Sequence, residues 1–235
     1  MLIPGEAKQE AIDDCGLSHL AFVPESAAQE KRPLVLLMHG RSGTAQAPWI
    51  FSKAFQSFKP VTISPQGFLS DPLGGFSWWP VAGRNVKSDL PPDPEPVLEA
   101  VRRLRHFISR LPQWYPVGLE RMCGVGFSQG GALLSSLSLL EPGLFRGVAI
   151  LSGFVPRAVV PLLPPGAAAG KNPARYFVVH GTKDQVIAPE HAKLTEQILR
   201  EQGYEVQLYL DEAAHKVSAY GMKALENWFT ELLGS

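Results

Sequence analysis

Cysteine is scarce in this chain, which carries only Cys15 and Cys123 among its 235 residues. Two cysteines so far apart exclude a small disulfide-rich scaffold and are typical of ordinary buried thiols in a reducing compartment. An excess of either charge is also absent, because 22 basic residues balance 22 acidic ones. Without a broad electrostatic footprint, neither nucleic acid nor an anionic membrane surface is expected as the main partner.

Long apolar runs are missing as well, since no window approaches the roughly 18 uninterrupted apolar residues of a membrane span. The start of the chain lacks the basic segment and apolar stretch of a secretory signal. We therefore expect a cytoplasmic protein without stable membrane insertion. With 45% hydrophobic residues, a chain of this size can bury roughly 70% of its unfolded surface in one core, and we expect a single domain over residues 1–235.

Short apolar runs alternate with segments of helical period, a pattern that predicts parallel strands joined by crossover helices. The expected fold class is therefore α/β. The predicted strands are residues 33–38, 61–64, 122–127, 148–151, 176–179 and 206–210, with an antiparallel edge at 17–23. The predicted helices are residues 94–111, with Asp93 as N-cap and Pro94 in the first position, and residues 132–140, 189–201 and 218–233.

Two long stretches interrupt this alternation. Residues 66–96 are too apolar for a linker and too rich in proline and glycine for a strand or helix, so we expect a packed loop. Residues 154–173 contain several prolines and an alanine-rich run, and we interpret them as a short insertion. Long loops in compact domains often carry function, and an ordinary surface excursion is the alternative for both.

The segment Gly126-Phe127-Ser128-Gln129-Gly130 fits the pattern G-x-S-x-G between a predicted strand and a predicted helix. This context is typical of a nucleophile elbow, where the serine adopts a strained backbone and its Oγ projects from the end of a central strand. A plain helix N-cap is the alternative role for the serine. We predict that Ser128 is a catalytic nucleophile.

A serine nucleophile needs a general base, and the base needs an acid that fixes its tautomer. In this arrangement the acid and then the histidine follow the serine along the chain. Asp184 follows the predicted strand 176–179, and His215 follows the last predicted strand. Asp211 and Glu212 are closer to His215 in sequence and are the alternative acids, but we expect them at the exposed end of that strand.

Ester cleavage also requires two N–H donors for the oxyanion of the tetrahedral intermediate. The amide of Gln129 opens the helix after the nucleophile, where the helix dipole favours negative charge. The second donor is predicted in the turn His39-Gly40-Arg41-Ser42-Gly43, at the amide of Arg41, and an ordinary glycine-rich turn is the alternative. Two roles are open for the Arg41 side chain, which is either solvated or binds an anionic substrate group.

These segments, HG at residues 39–40, GFSQGGA, HGTKD and the AH before the last helix, resemble the α/β-hydrolase superfamily. GFSQGGA resembles in particular the phospholipase/carboxylesterase family, which includes acyl-protein thioesterases, and the likeness runs from about residue 34 to the C-terminus. The resemblance implies an α/β-hydrolase fold with a mostly parallel sheet, helices on both faces and a minimal lid. It implies the same functional residues as the motifs: Ser128, Asp184 and His215 as triad, and the amides of Arg41 and Gln129 as oxyanion hole.

The segment Ser77-Trp78-Trp79 resembles an aromatic segment that lines the substrate site in that family. Trp78 and Trp79 are accordingly candidate substrate-binding residues, and core aromatics are the alternative. The chain departs from the family at Arg41-Ser42, where members commonly have Leu-Gly or Phe-Gly, and at Pro80, where many have an acid. Both departures bear on the choice of substrate and leave the mechanism intact.

The sequence therefore predicts a serine esterase that cleaves carboxylic esters through an acyl-enzyme, with no cofactor and no metal site. Its expected partner is a small-molecule or lipid-like ester, and a homodimer is an open option. Within the same class, the alternative is an acyl-protein or acyl-thioester thioesterase or a lysophospholipase. A non-catalytic ligand receptor on the same fold is the rival from another class.

Overall fold

The computed structural model describes residues 17–25, 32–81, 93–164, 168 and 173–234. Cys15 and parts of both long loops, residues 82–92, 165–167 and 169–172, lie outside this range. Along the described residues the strands are β1 His19–Phe22, β2 Leu34–Met38, β3 Val61–Pro65, β4 Leu69–Ser70, β5 Phe76–Ser77, β6 Cys123–Phe127, β7 Gly147–Leu151, β8 Arg175–Gly181 and β9 Glu205–Asp211. The α-helices are α1 Glu95–Trp114, α2 Gln129–Leu140, α3 Glu190–Glu201 and α4 Ala219–Leu233.

Seven of these strands form one sheet in the order β1-β3-β2-β6-β7-β8-β9. Every neighbouring pair is parallel except β1 and β3, which are antiparallel. The predicted antiparallel edge therefore lies where the sequence indicated. Parallel strands bring their carboxyl ends to the same edge of a sheet, and ligand sites in such sheets lie at that edge.

Helices cover both faces of the sheet, which explains why β2, β3 and β7 are buried along their whole length. One face packs against α1, α2 and α3. The other face packs against α4 and a short 3₁₀-helix at Ala47–Ala54. The α/β class, the mostly parallel sheet and the helices on both faces are thus confirmed. They place β6, which precedes the predicted nucleophile, at the centre of the sheet.

The predicted helices are present, and each start differs from prediction, by one residue in α1, α3 and α4 and by three residues in α2. The first helix begins at Glu95 with Pro94 as its N-cap, so the prediction of Asp93 as N-cap is wrong by one residue. The Asp93 carboxylate nevertheless accepts the Glu95 amide at 2.9 Å, which is the expected capping contact. Helix α2 begins at Gln129 rather than at residue 132, directly after Ser128.

The first long loop contains regular structure that the sequence pattern did not predict. Strands β4 and β5 form a two-stranded antiparallel hairpin. Its turn is closed by Gly74 and Gly75, whose φ angles of 94° and 65° are ones that only glycine adopts readily. The two strands are too short for a period of two to stand out. This hairpin, β4–β5, lies against the functional site.

Candidate active site

Ser128 lies at a sharp turn between the end of β6 and the start of α2. Its backbone has φ 52° and ψ −117°, a region that residues with side chains rarely adopt. Glycines make this turn feasible, because a Cβ on Gly126 would lie 2.5 Å from the Gly130 carbonyl carbon. A Cβ on Gly130 would lie 2.5 Å from the His39 oxygen. The small residues of the motif therefore let the strand, the turn and the helix approach closely.

The structure brings the predicted triad together at the carboxyl ends of β6, β8 and β9. His215 Nε2 is 3.1 Å from Ser128 Oγ, and His215 Nδ1 is 2.7 Å from Asp184 Oδ2. Ser128 sits at the N-cap position of α2, but its side chain makes no capping hydrogen bond. Its hydroxyl instead faces the imidazole, which is the arrangement that a serine nucleophile requires.

Asp184 is held as a buried carboxylate. Its Oδ1 accepts the amides of Val186 and Ile187 at 2.8 and 2.9 Å, and its side chain has no exposed surface. His180 Nε2 lies 3.3 Å from the same Oδ2 that His215 contacts. Burial alone would raise the pKa of Asp184, but hydrogen bonds from His180, His215 and Ile187 outweigh it and hold that pKa well below its usual range. The carboxylate is therefore ionised at neutral pH.

The two alternative acids have other contacts. Asp211 accepts the Ala213 amide at 3.0 Å with Oδ1 and the Ser218 hydroxyl with Oδ2, and so shapes the loop that carries His215. The Glu212 side chain is 85% exposed and pairs with a lysine. The geometry therefore favours Asp184 as the acid partner.

The turn His39–Gly43 follows β2 and lies beside the nucleophile, since a Cβ on Gly40 would be 3.2 Å from Ser128 Cβ. The buried His39 imidazole is hydrogen-bonded to this turn and to the segment after β3. Its Nδ1 donates to the Gly40 oxygen at 2.7 Å, and its Nε2 accepts the Gly67 amide at 2.9 Å. Burial lowers the pKa of His39, so the ring is neutral. The amide of Arg41 follows Gly40 in this turn and that of Gln129 follows Ser128 at the start of α2, and their role as oxyanion donors stays a prediction.

Gln129 has a second role that the sequence did not indicate. Its side-chain oxygen accepts the Trp78 amide and its side-chain nitrogen donates to the Trp79 oxygen, both at 2.9 Å. These two bonds tie the start of α2 to the chain that follows β5. The two indole rings are 1% exposed and belong to the core, and Trp78 Nε1 donates to the His39 oxygen at 2.8 Å. This burial agrees with the alternative of core aromatics, whereas their substrate-binding role is still a prediction.

Neither of the two roles considered for the Arg41 side chain describes what the structure shows. Arg41 Nε donates to Asp71 Oδ2 at 3.1 Å, and Arg41 Nη2 donates to the Val81 oxygen at 3.1 Å. The guanidinium is thus paired with a buried carboxylate, a partner that neither role included. Sequence reasoning missed Asp71 altogether. The available signal was an acidic residue inside a loop too apolar to be a linker.

Comparisons with known proteins bear on the family to which this chain belongs. A model of the phospholipase/carboxylesterase family matches residues 20–233. The chain belongs to this family. It is 31% identical over 198 residues to the carboxylesterase SOBER1 of Arabidopsis thaliana. These residues make up 82% of this chain and 80% of that protein. The crystal structure of SOBER1 matches with a TM-score of 0.73 at 26% identity and covers 86% of this chain and 99% of its own.

A further relative is acyl-protein thioesterase 1 of Yarrowia lipolytica, with 29% identity over 188 residues, 75% of this chain and 79% of that protein. The expected family and the assignment to the carboxylic ester hydrolases are therefore confirmed. Within the described residues, no helix is both long and apolar enough to cross a membrane. In the same part of the chain, no three His, Cys, Asp or Glu side chains are grouped as metal ligands.

Proposed function

We propose that this protein hydrolyses carboxylic esters through an acyl-enzyme formed on Ser128, with His215 as general base and acid and Asp184 as its partner. The observation that carries the proposal is the continuous contact from Ser128 Oγ through the His215 ring to the buried Asp184 carboxylate. This arrangement provides a nucleophile, a base and an orienting group within hydrogen-bond reach.

In the acylation step, Ser128 Oγ attacks the ester carbonyl carbon while its proton passes to His215 Nε2. The carbonyl π electrons move to the oxygen, which the amides of Arg41 and Gln129 stabilise. Collapse of this intermediate restores the carbonyl and breaks the bond to the alcohol oxygen. The alcohol leaves with the proton from His215, and the acyl group stays on Ser128.

Deacylation repeats the sequence with water. His215 accepts a proton from the water molecule as its oxygen attacks the acyl-enzyme, and then returns a proton to Ser128 Oγ as the acid is released. Asp184 stays ionised throughout, because its buried carboxylate has a strongly lowered pKa. It keeps the His215 Nδ1–H in place and stabilises the imidazolium that forms in each step.

Oxygen esters are the primary substrate class in this proposal, and acyl thioesters, including those on proteins, are the second candidate. The thioester candidate is supported by the similarity to an acyl-protein thioesterase. The same catalytic groups serve both, since the two reactions pass through the same acyl-enzyme and differ in the leaving group. We further propose that one domain over residues 1–235 acts in the cytoplasm on a small or lipid-like ester, without nucleic acid, metal or cofactor, and that homodimer formation is an option.

The test is a panel of p-nitrophenyl esters and matched acyl thioesters of increasing chain length, assayed with the wild type and two serine variants. Ser128→Ala is expected to lower turnover of every substrate by about three orders of magnitude or more, at least as much as loss of the triad acid. Ser136→Ala is the control, because Ser136 lies in the same helix and its hydroxyl donates to the Ala132 oxygen of that helix. Full activity in Ser128→Ala, or no hydrolysis by the wild type, would contradict the proposal, and the latter result would favour the receptor alternative.

A further inference from the structure

The hairpin β4–β5 packs against the turn His39–Gly43. Phe76 in β5 and Gly43 in the turn exchange two backbone hydrogen bonds, of 3.1 and 2.8 Å. The approach is equally close at the tip of the hairpin, where a Cβ on Gly75 would lie 2.3 Å from the Ser42 oxygen. The hairpin therefore packs directly against the turn that carries the proposed oxyanion donor.

Asp71 lies at the centre of this contact, and its side chain is 3% exposed. Its Oδ2 accepts hydrogen bonds from Arg41 Nε at 3.1 Å and from Ser77 Oγ at 2.7 Å. Ser77 Oγ in turn accepts the amide of Ser42 at 3.3 Å. One carboxylate oxygen thus holds the side chain of Arg41 directly and the amide of the next residue through a hydroxyl.

The turn needs such support because its backbone is strained. Ser42 has a φ of 58°, in the left-handed region that residues with side chains adopt only when their surroundings hold them there. The peptide groups of Arg41 and Ser42 are consecutive, so restraining the second also restrains the first. The contacts of Asp71 therefore act on the orientation of the Arg41 N–H.

The charge of Asp71 is part of this arrangement. Burial raises its pKa, but the hydrogen bonds from Ser77, the Leu73 amide and Arg41 outweigh burial and hold the pKa well below its usual range. Hydrogen bonds to an ionised acceptor are roughly twice as strong as neutral ones. An asparagine of the same shape would keep the volume but lose the charge that binds the guanidinium.

We propose that Asp71 is a positioning residue for the oxyanion hole, whose carboxylate holds the turn His39–Gly43 so that the Arg41 N–H faces the substrate carbonyl oxygen. This inference rests on the proposed function, because it assigns a role in the same ester hydrolysis. An oxyanion donor stabilises the transition state more than the bound substrate. Loss of Asp71 therefore lowers kcat and leaves KM nearly unchanged.

The experiment compares Asp71→Asn with Tyr176→Phe. Tyr176 is a matched control, since it is buried near the start of β8, at the other end of that strand from the site, and its hydroxyl bonds to Ser138 Oγ at 2.8 Å. Both variants lose a buried hydrogen bond, but only one of these bonds supports the turn. The readouts are kcat and KM for a p-nitrophenyl ester, the melting temperature, and inhibition by an alkyl trifluoromethyl ketone, whose adduct on Ser128 places an oxyanion in the hole.

For Asp71→Asn we expect kcat to fall about 10- to 100-fold with KM within about threefold of wild type. The affinity for the ketone should weaken by a similar factor to kcat/KM. Tyr176→Phe should lower the melting temperature and leave kcat and ketone affinity within about threefold. Arg41→Met keeps the backbone N–H but loses the ion pair, so it should resemble Asp71→Asn, and the double variant should be no slower than the slower single variant.

Two failures are distinguishable. If Asp71→Asn loses no more kcat than Tyr176→Phe, or if its ketone affinity is unchanged, the positioning role is overturned while the esterase proposal stands. If the wild type neither hydrolyses esters nor reacts with a fluorophosphonate at Ser128, the esterase proposal and this inference both fall. Should Asp71→Asn not fold, Arg41→Met carries the same comparison with the same expected and contrary results.

Discussion

Two buried aspartates at this site have the same local geometry and hold different parts of the machinery. In each, Oδ1 accepts the amide two residues further along the chain, Val186 for Asp184 and Leu73 for Asp71, at 2.8 and 2.9 Å. The Oδ2 atoms differ: that of Asp184 contacts the His215 ring, and that of Asp71 contacts Arg41 and Ser77. In the proposed mechanism, one carboxylate therefore supports the base His215, and the other supports the turn that carries a proposed oxyanion donor.

This difference teaches that a buried carboxylate near a nucleophile does not by itself identify the acid of a triad. The group that its second oxygen contacts decides between the two roles. Loss of the first carboxylate affects the base in every chemical step, whereas loss of the second displaces one N–H donor. The two regions should consequently differ in the size and kind of their kinetic effects.

The largest effect is expected at the triad acid. Asp184→Asn should lower kcat by about 10³- to 10⁴-fold, because the neutral amide no longer fixes the tautomer of His215 or stabilises its charged form. Steady-state kinetics with a p-nitrophenyl ester measures this, with Asp211→Asn as the matched control on the loop of His215. If Asp211→Asn lost more kcat than Asp184→Asn, the triad acid would be Asp211, and the assignment to Asp184 would be wrong.

A large effect on stability is expected when either tryptophan of the segment directly after β5 is replaced. Trp78→Ala or Trp79→Ala should each cost roughly 3–5 kcal/mol in the free energy of unfolding and depress all ester chain lengths together, because both rings are core residues. Trp114, which is 38% exposed, is the control, and its replacement by alanine should cost less. Denaturant unfolding, together with kcat/KM for esters of increasing chain length, distinguishes a core role from a substrate-binding role. A selective loss of long-chain turnover at unchanged stability would instead place the rings in the acyl pocket.

Acid should affect both aspartates together. Each has a pKa below that of the unfolded chain, so their contribution to stability is complete above about pH 4 and is lost as the pH falls below it. In this range the free energy of unfolding should fall with a slope approaching about 1.4 kcal/mol per pH unit for each carboxylate. Urea unfolding between pH 6 and pH 3 measures it for the wild type, Asp71→Asn and Asp184→Asn. Equal acid sensitivity in all three would contradict the account.

The smallest effect is expected at Ser77, which links Asp71 to the Ser42 amide. Ser77→Ala removes this link but leaves the ion pair of Asp71 with Arg41, so kcat should fall only about 3- to 10-fold, consistent with roughly 1 kcal/mol for one hydrogen bond. The comparison with Ser136→Ala, whose hydroxyl bonds within its own helix, controls for loss of a buried hydroxyl. If Ser77→Ala lost more kcat than Asp71→Asn, the hydroxyl link to Ser42 would matter more for catalysis than the carboxylate of Asp71, which contradicts the account.

The sequence predicted the sheet and the triad candidates because both leave local patterns. Buried parallel strands appear as short apolar runs, and the elbow around Ser128 appears as glycines at fixed spacing beside a strand. The order of serine, acid and histidine then pointed to Asp184 and His215, although Asp211 is nearer to the histidine. Only the structure shows the contacts that distinguish Asp184 from Asp211. Hydrogen bonds between loops depend on how distant segments pack, so no local sequence pattern indicates them.

The hairpin region was not predictable in the same way. Strands β4 and β5 have two residues each, which is too short for any period to be read. The contact of Asp71 with Arg41 spans 30 positions and depends on how the hairpin packs on the turn after β2. The segment of Trp78 and Trp79 is likewise bonded to the Gln129 side chain across 51 and 50 positions, a contact that no local pattern indicates.

The central claim is that Ser128 carries the acyl group during turnover, and rapid-quench mass spectrometry tests it most directly. The enzyme is mixed with a p-nitrophenyl ester, quenched in acid within the first turnovers, digested and mapped. The account predicts an added mass equal to the acyl group on the peptide that contains Ser128, and its absence in Ser128→Ala. An acyl group on another residue, or ester hydrolysis that persists in Ser128→Ala at the wild-type rate, would contradict it.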